Sequence, residues 1–88
     1  MSWTCRLSNQ AAKQLRWLPQ DRRRQIAQAI EEMVRDPTSG DVRPIKSGRF
    51  KGTLHKRVGR YRIVFALDRV NKEIDVAAIV VRTGKIYH

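Results

Sequence analysis

Residues 54–67, LHKRVGRYRIVFAL, alternate apolar and polar side chains on both sides of a single glycine. Such alternation has the period of a half-buried strand. Gly59 is placed to supply the positive φ that a type II′ turn needs at its first central position. A two-residue turn at Gly59-Arg60 then fixes the register. Val58 faces Tyr61, Arg57 faces Arg62, Lys56 faces Ile63, His55 faces Val64 and Leu54 faces Phe65. Leu54, Val58, Tyr61, Ile63, Phe65 and Leu67 fall on one face, and His55, Arg57 and Arg62 share the other. Lys56 falls on the apolar side, so it must sit near an edge or carry its ammonium out to water.

The rest of the chain fits around this hairpin. SWTCRL reads as a short first strand. Ser8 or Asn9 caps a helix running to about Leu18, with Ala11, Leu15 and Leu18 on one side. Pro19 ends it. A second helix starts at Gln20 or Asp21, carries Ile26, Ile30, Met33 and Val34 as its apolar stripe, and stops at Asp36-Pro37. Its charges run against the helix dipole, with Arg22, Arg23 and Arg24 at the positive end, which hints at a binding role. Residues 37–51 hold Pro37, Gly40, Pro44 and Gly48 and read as a loop. EIDVAAIVV, residues 73–81, is apolar at both parities from Ala77 onward, as a central strand should be.

At 88 residues the chain is one domain. Its 19 Lys and Arg stand against 8 acids, a net charge of +11. That excess repels itself and attracts polyanions: nucleic acid first, an acidic protein second, a membrane surface third. Between Arg43 and Arg62 there are 8 basic residues and no acid. Opposed like charges across strands are destabilising, so the cluster at His55, Arg57 and Arg62 calls for an anion. Cys5 is the single cysteine, lies in the alternation Trp3, Cys5, Leu7, and reads as a buried strand position in a reducing compartment. MSWTCRL has no apolar signal-peptide core and no run reaches membrane-spanning length, which points to the cytoplasm and away from membranes.

Taken in order, the motifs A.K.L..LP, I...I..M..DP, RVG.YRIVF and VVR...IY resemble the RelE/ParE superfamily of type II toxins over essentially the whole chain. The resemblance implies an α+β fold, a small antiparallel sheet in the order β-α-α-β-β-β with two N-terminal helices packed on one face. It also implies a cognate acidic antitoxin and a toxin–antitoxin hetero-oligomer. RelE-like members cut messenger RNA on the ribosome without metal. ParE-like members inhibit DNA gyrase and generally lack the strand-borne basic and tyrosine set. This chain matches the RelE-like set at Arg62, Arg82 and Tyr87. It departs at His55, where a catalytic lysine is common, and at Thr53.

Metal-independent RNA cleavage needs a base for the 2′-hydroxyl proton, cations for the phosphorane and an acid for the leaving 5′-oxygen. His55 suits the base, because cationic neighbours should lower a pKa that starts at about 6.5. Arg62 and Arg82 suit phosphate stabilisation, being always charged and able to bind two oxygens at once. Tyr87 suits stacking on a base or donation to the leaving oxygen. Lys46, Arg49, Lys51, Lys56, Arg57 and Arg60 are the candidate contacts to RNA backbone. No acids or histidines stand at metal-ligand spacing. The expectation is a ribosome-dependent mRNA endonuclease acting without cofactor. The alternatives are a gyrase inhibitor and a non-catalytic basic RNA-binding module.

Overall fold

The structure is a computed structural model and describes residues 2–81. Gly59 turns the chain at φ 58°, and the hairpin closes in the expected register from Val58↔Tyr61 to Leu54↔Phe65. A second constraint acts at this glycine, since a Cβ there would lie 2.9 Å from Gln25 Nε2. The hairpin tip is thereby packed against the second helix.

The elements are β1 (Thr4–Leu7), α1 (Asn9–Arg16), α2 (Gln20–Arg35), β2 (Val42–Pro44), β3 (Leu54–Val58), β4 (Tyr61–Asp68) and β5 (Glu73–Val81). They form one five-stranded sheet in the order β1-β5-β4-β3-β2. The architecture is α+β, as expected, with two corrections. First, the sheet is mixed: β1 runs parallel to β5, with Cys5 opposite Ile74. Parallel neighbours need a long connection, and here everything from α1 to β4 intervenes. Side-chain parity carries no information on strand direction, so the sequence could not reveal it. Second, the segment read as a loop contains β2, which pairs antiparallel with β3. Three residues are too few for alternation to register, and Pro44 is tolerated because β2 is an edge strand.

β5 explains its own loss of alternation. Val64 pairs with Ala78 but Phe65 pairs with Val76, which leaves Ala77 as the extra residue of a bulge. The bulge switches parity, so Ile74 and Val76 before it and Ile79 after it all reach the same core. Ala11, Ile26, Ala29 and Met33 from the two helices meet Ile63 and Phe65 there. Ser8 caps α1 by accepting from the Ala11 amide at 3.0 Å and donates to the Ala77 carbonyl at 2.8 Å, which fastens the helix start to the bulge. Both helices therefore lie on one face of the sheet. Cys5 is half-buried beside the core. Among the described residues no helix is long and apolar enough to cross a membrane.

Candidate active site

Because alternation sends Leu54, Val58, Tyr61, Ile63 and Phe65 toward the helices, it sends His55, Arg57 and Arg62 to the uncovered face. Arg57 stands directly opposite Arg62. Arg43, on β2, stands directly opposite His55. Neither Arg43 nor its neighbour Asp41 belongs to the sequence-derived site. The polar–apolar–polar order of Asp41-Val42-Arg43 was the available signal, and it was hidden by reading the segment as a loop.

Asp41 also corrects the expectation of an unpaired cationic cluster. Its Oδ1 lies 3.2 Å from Arg43 Nε and its Oδ2 lies 3.7 Å from Arg57 Nε. Its carbonyl accepts from the Arg57 amide at 3.0 Å. One carboxylate thus partly neutralises two arginines, while Arg62 has no ion-pair partner among the described residues.

Three buried side-chain nitrogens on this face lack a hydrogen-bond partner among the described residues: His55 Nδ1, Arg57 Nε and Arg62 Nε. Each such group costs about 1–3 kcal/mol, and native proteins keep few of them. All three belong to the β3–β4 hairpin, and the hydrogen-bonding capacity of its open face is not used up within residues 2–81. The pKa of His55 is lowered from 6.5, first by burial, then by Arg62 and Arg57, with Asp41 opposing and Arg43 adding a little. The cationic effect foreseen from sequence is present, but desolvation leads. The imidazole is neutral at pH 7 and can accept a proton beside two guanidinium groups.

The other predicted residues divide. Lys56 is not a surface cation: it is 4% exposed, and its Nζ lies 3.2 Å from Glu32 Oε1 on α2. It points under the sheet and leaves the RNA-contacting set. Lys46, Arg49 and Lys51 are exposed on the segment between β2 and β3, and Arg60 is exposed at the hairpin tip. Arg49 lies over the Phe50 ring at 5.3 Å. Arg82 and Tyr87 lie outside the described residues. At the start of α2, Arg23 Nη1 donates to the Arg16 carbonyl at 3.4 Å. The reversed charge order of that helix therefore has a local cause, since Arg23 satisfies a carbonyl left open where α1 ends. Among the described residues no group of three or more His, Cys, Asp or Glu is placed to hold a metal ion.

No family model matches the chain, and no curated protein matches it. Solved structures do. The chain is similar to a chain of the RelBE2 toxin–antitoxin complex from Mycobacterium tuberculosis, with TM-score 0.80 and 22% identity, over 93% of this chain and 100% of that one. It is similar to a chain of the archaeal RelE–RelB complex from Pyrococcus horikoshii, with TM-score 0.80 and 20% identity, over 97% and 100%. The YoeB dimer from Staphylococcus aureus gives TM-score 0.70 and 17% identity, over 94% and 98%. The chain has the fold of the RelE/ParE toxin superfamily.

Proposed function

We propose that this protein is the toxin of a type II toxin–antitoxin system and a metal-independent, ribosome-dependent mRNA endonuclease of the cytoplasm. One observation carries the reading: a neutral, half-buried His55 shares the open sheet face with Arg57 and Arg62, and each holds a buried side-chain nitrogen without a hydrogen bond among the described residues. His55 takes the proton of an mRNA 2′-hydroxyl, and the freed oxygen attacks the adjacent phosphorus. Arg62 stabilises the added charge of the phosphorane, where preorganised donors have their largest effect. The bond to the 5′-oxygen breaks, leaving a 2′,3′-cyclic phosphate and a 5′-hydroxyl. Arg82 is proposed as a second phosphate ligand and Tyr87 as a base-stacking group or the donor to the leaving oxygen. Lys46, Arg49, Lys51 and Arg60 are proposed to grip RNA backbone around the site.

An acidic antitoxin is the proposed partner, supported by the net charge of +11 and by the toxin–antitoxin complexes among the similar structures. The test is primer extension on mRNA from cells briefly expressing the protein, with purified ribosomes programmed in parallel. Expected are breaks within ribosome-occupied codons for wild type and none for Arg62→Ala. Intact mRNA together with inhibited gyrase supercoiling would replace this reading by the gyrase one. Tight RNA binding without breaks would replace it by a non-catalytic module.

A further inference from the structure

The open face does not end at the cationic cluster. Arg62, Val64 and Ala66 share one parity of β4, so Ala66 lies about 13 Å from Arg62 at roughly 3.3 Å per residue. That distance is the span of a few nucleotides of a single strand, at about 3.4 Å per stacked base. Ala66 pairs with Asp75 on β5, and Asp75 pairs with Arg6 on β1. A row of Arg6, Asp75 and Ala66 therefore crosses three strands, and a groove of about 390 Å³ lies over it.

The lining of this groove is selective. Ala66 and Ala77 offer only methyl groups, which leaves depth for a flat ring. The Ser8 hydroxyl is committed, accepting from the Ala11 amide and donating to the Ala77 carbonyl. Arg6 is at the rim, its Nη1 3.5 Å from Glu73 Oε2. Asp75 alone among these groups has neither an ion pair nor a hydrogen bond to its side chain among the described residues. It is exposed.

An unpaired carboxylate is out of place on a face that otherwise attracts anions. It repels phosphate, so it does not serve the RNA backbone. What it accepts is N–H donors, and what the alanine floor accepts is an apolar ring. A nucleobase has both, and unstacked bases are read along their Watson–Crick edges. Guanine presents a ring N–H and an amino group side by side, which matches the two oxygens of a carboxylate in a bidentate pair. Uracil presents one N–H between two carbonyl oxygens that a carboxylate repels.

We propose that the groove formed by Arg6, Asp75, Ala66 and Ala77 is a nucleobase subsite that takes guanine in preference to uracil. It lies along the open face from the phosphate bound at Arg62, and it rests on the nuclease reading above. Asp75 sets the base, Ala66 and Ala77 set the room, and Arg6 meets a neighbouring phosphate.

The experiment measures binding of the full chain to 2′-O-methyl pentanucleotides, which have no free 2′-hydroxyl to attack. One is all uridine and one carries a single central guanosine. Fluorescence anisotropy at low salt gives the affinity ratio, and NMR of the Ala66 and Ala77 methyl groups locates the base. Expected is about tenfold tighter binding of the guanosine oligonucleotide, with both methyl signals shifted. Asp75→Asn and Ala66→Phe should each bring the ratio close to one while all-uridine binding persists. A ratio near one in wild type, or an unchanged ratio in both variants, overturns the subsite and leaves the function reading standing. No binding of either oligonucleotide also overturns the subsite, while the function reading stands or falls on mRNA cleavage by programmed ribosomes.

Discussion

His55 is the proposed general base, and its environment makes two measurements predictable. Burial, Arg62 and Arg57 lower its pKa below 6.5, so its neutral form dominates at pH 7. The single-turnover rate should be flat near neutrality and fall only below about pH 6.5, as the imidazole gains its proton. Stability has the same sign. Below 6.5 the unfolded chain takes up a proton that the folded site resists, so the folded state loses stability as pH falls through that window. In His55→Ala most of the rate and this component of the pH–stability slope should both be missing, read by cleavage on programmed ribosomes and by urea titration from pH 5 to 8. Arg62→Ala removes the proposed transition-state contact and should cost about 10²–10³ in rate, with a urea midpoint that is not lowered, because the side chain faces away from the core and stands opposite Arg57. Asp41 acts in the opposite direction. Its carboxylate is the acid that raises the pKa of His55 and it occupies Arg43 and Arg57. Asp41→Asn should tighten RNA binding and move the acidic fall of the rate to lower pH, with a stability change of about 1 kcal/mol because Asp41 itself is exposed in both pairs. A pH profile identical to wild type would remove Asp41 from the site.

Elements separate what the sequence could say from what it could not. The β3–β4 hairpin was legible to the residue because alternation and Gly59 act locally, and the same parity placed His55, Arg57 and Arg62 on the open face. β1's direction, β2's existence and the bulge at Ala77 depend on partners distant in the chain, and no local pattern encodes them. Lys56 is the clearest case. Its parity was read correctly, but its destination was set by Glu32, 24 residues away on another element. This pair ties α2 to the strand that carries His55 and Arg57, and its energetics can be tested. Glu32→Gln leaves Lys56, a residue only 4% exposed, without its counter-charge. Breaking a fully buried pair costs about 3–5 kcal/mol. Glu32 itself is half-exposed, with side-chain exposure of 50%, so water and salt reduce the loss below that range. Lys56→Met, which removes the charge and keeps the length, should be close to neutral or stabilising. Urea midpoints for the two variants check the order. If Lys56→Met were the more damaging change, the pair would be stabilising beyond compensation of its own burial.

At the scale of the whole molecule the net charge of +11 governs folding and association in opposite ways. Self-repulsion destabilises the compact state, while the intramolecular ion pairs of the described residues number four, and in only one of them are both side chains exposed. Salt therefore screens more repulsion than attraction, and the free protein should become more stable between about 10 and 150 mM NaCl, as the Debye length shortens from about 30 to 8 Å. Capture by the proposed acidic antitoxin has the reverse dependence. Steering by a charge of this size raises association from a neutral 10⁵–10⁶ toward about 10⁸ M⁻¹s⁻¹ at low salt, and screening removes that gain. Over the same salt range the association rate should fall steeply. The dissociation rate should change little, because it reports the short-range contacts of the formed complex. Stopped-flow association and competition-based dissociation with the proposed antitoxin measure the two separately. An association rate independent of salt would mean that apolar contacts, and not the open basic face, recruit the proposed antitoxin.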